Sequence, residues 1–536
     1  MELNEPRKMP EYGSLYFGMS DSRNEASEDS DRFVASYVDL NNSVPAVLDG
    51  RKFLVLGPKG AGKSALGWYL EASQSRGDHL ATVRDASSLP LAEVPRLQTG
   101  QVPGPERTVV AWKFVLLCNY LEVLMRDGSC VFQNQREVMR VSKLLRDYGF
   151  MGDASGRALV KASATTIEIP IPKLGTIYRK ESRPTLNIYN LIPYLEDWVG
   201  SASANVRHVL LIDGLDSIFL NDVKYDESLS SLVQAAYSLN QKLQQRYATG
   251  SIVLLLRNDV FSRISLSLPD SQKMRDDLSL DLDWRIMSGP GGRNAPLIQL
   301  VNRKAALAAG VESIQILDYF PEFVSVGRRG RSPRQIPTLQ YLLNMTRHTP
   351  RDLLRLFDEI RKVDCSGVYP VAGNRLSDEV IREGVLKYAS KYFVGAISNE
   401  FAGYEGGPAN ASAALSALKA LNRRTFDGND FKSALDNVGA STDVDYRRLL
   451  RLLFFAGAIG NYVAGQDQSY MQFYHRRDDS EIYLHGTFIL HNALIHAWGL
   501  GGKVVPMSAP TAEASGAVQP RPRRRRTHGG VELPSP

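Results

Sequence analysis

One stretch constrains this chain more than any other: Gly57-Pro58-Lys59-Gly60-Ala61-Gly62-Lys63-Ser64, with an apolar run before it and a helical pattern after it. Lys52-Phe53-Leu54-Val55-Leu56 reads as a short buried strand that Gly57 ends. Ala65-Leu66-Gly67-Trp68-Tyr69-Leu70 reads as the start of a helix. Glycines let a backbone wrap around a chain of phosphates with several N–H groups turned inward, and the following helix adds the positive end of its dipole. Lys63 supplies charge for the outer phosphates, and the Ser64 hydroxyl can ligate magnesium. The spacing Gly57-x-x-x-x-Gly62-Lys63-Ser64 fits the whole Walker A pattern. The predicted ligand is therefore a nucleoside triphosphate, ATP with Mg2+, held along Gly57 to Ala65. Lys59 is a further candidate for the phosphates; a solvated lysine is the alternative.

Such a loop needs an acidic partner at the end of a buried strand. His208-Val209-Leu210-Leu211-Ile212 is a suitable apolar run, and it leads into Asp213-Gly214-Leu215-Asp216. Asp213 is the predicted magnesium residue beside Ser64. Many ATPases place a glutamate directly after this aspartate to activate water; here the position is Gly214. Asp216 is the next carboxylate that could act as general base. Capping a helix or supporting the magnesium shell are its other open roles.

Strand-like runs alternate with helical patterns, which implies an α/β fold with a parallel sheet and crossover helices. Val109 to Phe114 is predicted as a second strand leading into a helix over Leu116 to Met125, and Ser251 to Leu256 as a further strand. A hairpin is expected across Ala162 to Tyr178, and helices over Arg32 to Leu40 and Asn187 to Val199. After Ile264 the pattern turns helical, with loops at Gly289 to Gly292 and Gly327 to Arg331. Further helical stretches precede strand patterns at Tyr470 to Tyr474 and Glu481 to Leu484.

Composition narrows the class. The chain has 536 residues, 43% hydrophobic and 23% charged, ordinary values for a globular protein. Its net charge is +6, but residues 501–536 hold six Lys/Arg against two Glu, so the rest is near neutral and pI alone does not argue for nucleic acid. No segment is expected to cross a membrane. The best candidate, Leu449 to Ala464, contains Arg451, Gly457, Gly460 and Asn461, and residues 1–11 carry no apolar block of the signal-peptide kind. Three scattered cysteines, Cys118, Cys130 and Cys365, suit neither a disulfide framework nor a zinc site, so a reducing cytoplasm is the expected location.

Gly57 to Ser64 together with Asp213-Gly214-Leu215-Asp216 resembles the STAND and AAA+ branches of P-loop ATPases. The acidic string is similar to the NACHT-type Walker B, departing from it at Ser217, where glutamate is common. Tyr16-Phe17-Gly18-Met19-Ser20-Asp21-Ser22-Arg23-Asn24-Glu25, with Leu56 to Leu66, resembles a family of bacterial P-loop ATPases, a likeness that runs to about residue 500. The resemblance implies a polar sensor after Leu256, with Arg257 first and Asn258 second. Thr349-Pro350-Arg351-Asp352-Leu353-Leu354-Arg355-Leu356 resembles the lid motif that offers an arginine to the γ-phosphate in initiator-type AAA+ proteins. Arg351 is the candidate there, with Arg355 one turn later. Ala458 to Asn461, Gln472 to Arg477 and Ile482 to His485 resemble the wing of a winged helix, after helices at Asp430 to Leu435 and Tyr446 to Phe455. His475, His485 and His491 do not have a metal-ligand spacing.

The expected division is a 1–35 arm, a 36–265 P-loop core with an inserted hairpin, a 266–375 helical lid domain, a 376–500 winged-helix-like domain and a disordered basic tail over 501–536. The implied function is ATP binding with slow hydrolysis in a regulatory switch, in bacterial signalling or phage defence. The alternative is an initiator- or loader-type ATPase that binds DNA through the winged helix, where Arg447, Arg448 and Arg451 could meet phosphates and Arg523 to Arg526 would add salt-sensitive affinity. A third reading is a nucleotide-binding scaffold that does not hydrolyse. ATP, DNA under the alternative, and a second copy or another protein are the expected partners, with no membrane.

Overall fold

The computed structural model of the chain describes residues 9–89, 106–147, 150–152, 169–170, 185–186, 188–215, 223–245, 250–285, 292–326, 334–369, 375–401, 407–439, 445–465, 470–476 and 481–500. The loop at Gly327 to Arg331, most of that at Gly289 to Gly292, the tail over 501–536 and Asp216 all lie outside the described residues.

Strands β1 (Leu54–Leu56), β2 (His79–Asp85), β3 (Ile169–Pro170), β4 (Thr185–Leu186), β5 (Arg207–Asp213), β6 (Gly250–Leu256) and β7 (Ser279–Asp281) come first in the chain. Five of them make one parallel sheet in the order β2-β5-β6-β1-β7. Its faces alternate as the pleat requires. Val55, Val209, Leu211, Val253 and Leu255 look one way, toward Leu66 and Leu70 of α1 (Lys63–Ser73). Leu54, Leu56, Leu210, Ile212, Leu254 and Leu256 look the other way. There they meet α2 (Glu106–Arg126), α3 (Ile188–Ser201) and α4 (Val223–Gln245). Burial on both faces explains why β1, β5 and β6 read as unbroken apolar runs.

Two expectations are corrected on the second face. Val109 to Phe114 is not a strand; it lies inside α2. Ala111, Trp112, Phe114, Val115, Leu116, Leu117 and Cys118 are all buried, and a helix covered on every side has no 3.6-residue stripe to read. The segment Thr108–Arg126 is also long and apolar enough to cross a membrane, with mean hydropathy 1.5, and 67% of it is buried inside the protein. The strand that precedes α2 is instead β2, whose polar Arg84 and Asp85 end an edge of the sheet. The fifth strand, β7, comes after residue 265, so the sheet continues into the region that follows.

Only part of the expected hairpin falls among the described residues. There Ile169 and Pro170 pair antiparallel with Leu186 and Thr185, beyond Tyr178. The helix expected to Leu40 stops at Ser36; Asn41 and Asn42 then take left-handed φ of 55° and 53°.

Beyond the sheet come α5 (Pro296–Ala308), the hairpin β8 (Phe323–Val326) with β9 (Arg334–Pro337), and α6 (Pro350–Asp364). Next, α7 (Asp378–Tyr388) passes through a π-turn at Ala389–Phe393 into α8 (Val394–Glu400). The last unit runs α9 (Gly407–Ala420), β10 (Thr425–Asp427), α10 (Gly428–Asn437), α11 (Tyr446–Phe455), β11 (Ile459–Val463), β12 (Tyr470–Gln472), β13 (Thr487–Leu490) and α12 (Asn492–Ala497). Its sheet is antiparallel in the order β10-β13-β11-β12. The strand expected at Glu481 to Leu484 is displaced to β13. Asn461 instead holds that stretch, donating to the Glu481 carbonyl and accepting from the Tyr483 N–H.

The N-terminal arm ties these parts together. Tyr12 donates to the Phe357 carbonyl and Phe17 packs 5.7 Å from Phe357 on α6. Tyr37 stacks on Tyr69 of α1 at 4.1 Å. A buried Lys304–Glu25 pair, Nζ to Oε1 2.6 Å, fixes the arm to α5.

Candidate functional site

The phosphate loop joins β1 to α1. Gly60 and Gly62 have φ of +83° and +96°, values that favour glycine, and Gly62 sits directly before the first turn of α1. The loop is braced from behind by Trp284, whose Nε1 donates to the Ala61 carbonyl at 2.7 Å, and by Leu282, whose N–H donates to the Leu56 carbonyl at 2.8 Å. Lys63 is 8% exposed, and its Nζ donates to the carbonyls of Gly57 and Pro58 at 3.0 and 3.1 Å. The lysine's bonds are thus partly local, whereas the loop shape also leans on Trp284 and Leu282 from beyond β7.

In front of the loop lies a cavity of about 1210 Å³. Lys59 to Ala65 form one wall, and Asp213 and Arg257 stand at the ends of β5 and β6. The strand order explains this meeting. Because β6 runs between β5 and β1, Arg257 leaves the sheet between Asp213 and the loop. Asn258 opens the next helix and is not part of the cavity wall. Gly57 is absent from the wall as well; it packs at the base of the loop, against Ala61 and Leu282.

Asp213 accepts from the Gly214 N–H at 2.8 Å. Its neighbour in register is Asp85 at the end of β2, which also lines the cavity. A Cβ at Gly214 would lie 3.3 Å from the Asp85 carboxylate. Sequence reasoning missed Asp85 because β2 was not recognised. The signal available was the Asp closing an apolar, alternating run.

The opposite wall comes from distant parts of the chain. Arg351 at the start of α6 touches the loop: its N–H donates to the Gly60 carbonyl at 3.4 Å, and a Cβ at Gly60 would lie 3.2 Å from the Arg351 Cβ. Thr349 caps this helix by accepting from the Asp352 N–H, and Pro350 occupies the first turn. Arg355, one turn on, instead pairs with Glu359 at 2.7 Å and is not in the cavity wall.

Arg347 and Glu400 have no signal in the sequence, and Asp352 stands there only as a member of the lid-like motif with no role of its own. Arg257 makes a two-bond fork to Asp259 at 2.9 and 2.9 Å. Arg347 makes the equivalent fork to Asp352 at 2.8 and 2.9 Å. Glu400 joins the two, at 2.8 Å from Arg257 and 3.1 Å from Arg347. Burial works against the charge on Asp259, but Arg257, and beyond it Lys63, hold its carboxyl below the usual range. Burial likewise opposes the Arg347 charge, and Asp352 more than offsets it. Lys63, Arg257, Arg347 and Glu400 thus line the cavity, with the carboxylates of Asp259 and Asp352 paired to the two arginines behind them. Among the described residues no group of His, Cys, Asp and Glu is arranged to hold a metal by itself.

No family model matches the chain, and no curated protein matches it. Among solved structures, one similar chain belongs to "Structure of Drosophila ORC bound to DNA", with 12% identity, coverage of 93% of this chain and 95% of that chain, and a TM-score of 0.26. At that TM-score nothing of the other protein is carried over to this chain.

Proposed function

We propose that the chain binds ATP with magnesium in this cavity, hydrolyses it slowly, and works as a STAND- or AAA+-like regulatory switch. One observation carries the reading: a glycine loop with Lys63 and Ser64 faces Asp213 across a single cavity whose far wall is supplied by another region of the chain. The residues fit the ligand. Ser64 and Asp213 would hold the magnesium ion, whose charge would orient the outer phosphates and offset their repulsion. Lys63 and Lys59 would bind phosphate oxygens, and Arg257 and Arg351 would approach the terminal phosphate. Gly214 in place of a carboxylate is the reason for proposing slow turnover. Asp216 remains the proposed base, with Asp85 as a second carboxylate at the same edge.

The five-part division at 35, 265, 375 and 500, with a lid and a winged-helix-like unit, belongs to this proposal, as do a bacterial signalling or defence setting, a cytoplasmic location and a second copy or another protein as partner. The α9-β10-α10-α11-β11-β12-β13 order supports the winged-helix part. Equilibrium binding of ATP to wild type and Lys63→Ala tests the reading. Affinity should be lost in the variant; equal affinity in the two would sink it.

A second reading, DNA binding through α11, is favoured by one feature. Arg447, Arg448 and Arg451 are exposed on that helix while Leu449, Leu450, Leu453 and Phe454 are buried. Duplex binding with a steep salt slope, weakened by Arg447→Glu with Arg448→Glu, would support it; binding that disappears only when residues 501–536 are removed would count against it.

A further inference from the structure

Glu400 deserves a role of its own, because its carboxylate sits where two guanidinium groups converge. It is the last residue of α8 and is 7% exposed, beside Arg257 at 7% and Arg347 at 8%. The two arginines each have a local acid, Asp259 two residues away and Asp352 five residues away. Glu400 is the remote member: it reaches Arg257 at the end of the sheet and Arg347 before α6 at once. The same turn is pinned to the phosphate loop, since Lys59 Nζ donates to the Asn399 carbonyl at 3.0 Å.

Of the three carboxylates paired with Arg257 and Arg347, Glu400 alone is shared by both and lines the cavity. A phosphoryl group brought to these arginines would meet an anion already there. Like charges desolvated together disfavour each other strongly, whereas two guanidinium forks suit either a carboxylate or a phosphate. Glu400 ends a helix whose last carbonyls also carry partial negative charge, directed here at Lys59.

We propose that Arg257 and Arg347 form a subsite for the terminal phosphoryl group of a nucleoside triphosphate, and that Glu400 fills it as an internal competitor. This rests on the nucleotide reading of the loop. A triphosphate competes with Glu400 for the two arginines and frees the end of α8. A diphosphate stops at Lys63 and leaves Glu400 paired. The π-turn at Ala389–Phe393, a break in the regular ladder of the same helix, is the natural place for α8 to swing.

The test uses the full chain, with a non-hydrolysable ATP analogue and ADP, both with magnesium, measured by calorimetry. Glu400→Gln should tighten the analogue about tenfold, equivalent to about 1.4 kcal/mol, and leave ADP within about twofold. An unchanged ratio in a folded Glu400→Gln overturns the inference. Hydrogen exchange on the wild type gives a second measurement that needs no variant. Amides of residues 394–400 should exchange faster with the analogue than with ADP, and equal exchange overturns the inference too. If the wild type binds neither nucleotide, the reading of the loop fails and takes this inference with it; ADP binding with an unchanged ratio removes only the role of Glu400.

Discussion

The two walls of the cavity are built in opposite ways. The phosphate loop is made by consecutive residues, Gly57 to Ser64, whose carbonyls accept from Lys63, from Trp284 and from the Arg351 N–H, with Leu282 bonded to the strand end before it. The arginine wall is assembled from Arg257, Arg347, Arg351 and Glu400; largely buried charge pairs join Arg257, Arg347 and Glu400 to one another and to Asp259 and Asp352 behind them. The first wall is contiguous in sequence and needs only the sheet and its two props behind it. The second exists only when the sheet, α6 and α8 are all in place. Binding should therefore depend most on the first wall, and folding on the second.

Arg347→Leu gives the largest expected effect on stability. It leaves Asp352, which is 0% exposed, and Glu400 as buried carboxylates without that partner. Breaking a buried pair from one side costs about 3–5 kcal/mol. Denaturant unfolding should show that loss, and a loss below about 1 kcal/mol would mean that this wall is not the structural one.

Lys63→Ala should do the reverse. Two of the lysine's bonds go to carbonyls of its own loop, so unfolding should move less than in Arg347→Leu, while nucleotide affinity falls by about a hundredfold or more, equivalent to about 2.7 kcal/mol. A variant that loses stability and affinity equally would erase the contrast between the walls.

This contrast also accounts for what was legible in the sequence. The octet, Asp213 and the Thr349-Pro350 helix start are local patterns; Lys59 to Ser64, Asp213 and Pro350 line one cavity, while Gly57, Pro58 and Thr349 lie outside its wall. Arg257 and Arg351 were reached through resemblance. Glu400, Arg347 and Asp85 were not reached at all: each is an ordinary charged residue until a partner 50 or more positions away gives it meaning, as Arg347 does for Glu400. The misreading of Val109 to Phe114 has a different cause. α2 is buried on all sides, so its pattern carries no period, and the real strand β2 is polar at its exposed end. The alternation that reveals an amphipathic element is missing where an element is most central.

Acid should attack the second wall first. Three histidines, His348, His475 and His491, lie beyond Arg347, with rings 5.8 Å apart for the first pair and 5.5 Å for the second. Burial, then Arg476, pushes His348 down to about 4 and His491 down to about 3, with Asp352 acting weakly the other way. Above about pH 6.5 both folded and unfolded histidines are neutral and nothing is lost. As pH falls from about 6.5 toward 4, the unfolded chain takes up protons that the folded chain refuses, so stability drops by about 1.4 kcal/mol per pH unit for each histidine. Unfolding measured at pH 7.5, 6 and 5 should show this slope. His491→Gln should reduce it, and a slope unchanged by that substitution would place the acid sensitivity elsewhere.

The smallest expected effect lies where the two walls touch. Thr349 is 3% exposed, caps α6 through the Asp352 N–H at 3.3 Å, and would lie 3.3 Å from a Cβ at Gly60. Thr349→Ala removes the cap, which costs about 1 kcal/mol. The Gly60 carbonyl still accepts from the Arg351 N–H, so α6 keeps its seat on the loop. Stability should therefore fall by about that amount while nucleotide affinity changes by less than about threefold, or about 0.7 kcal/mol. If affinity falls tenfold instead, the cap transmits position from the helix to the loop, and the walls are not separate in function although they are separate in construction.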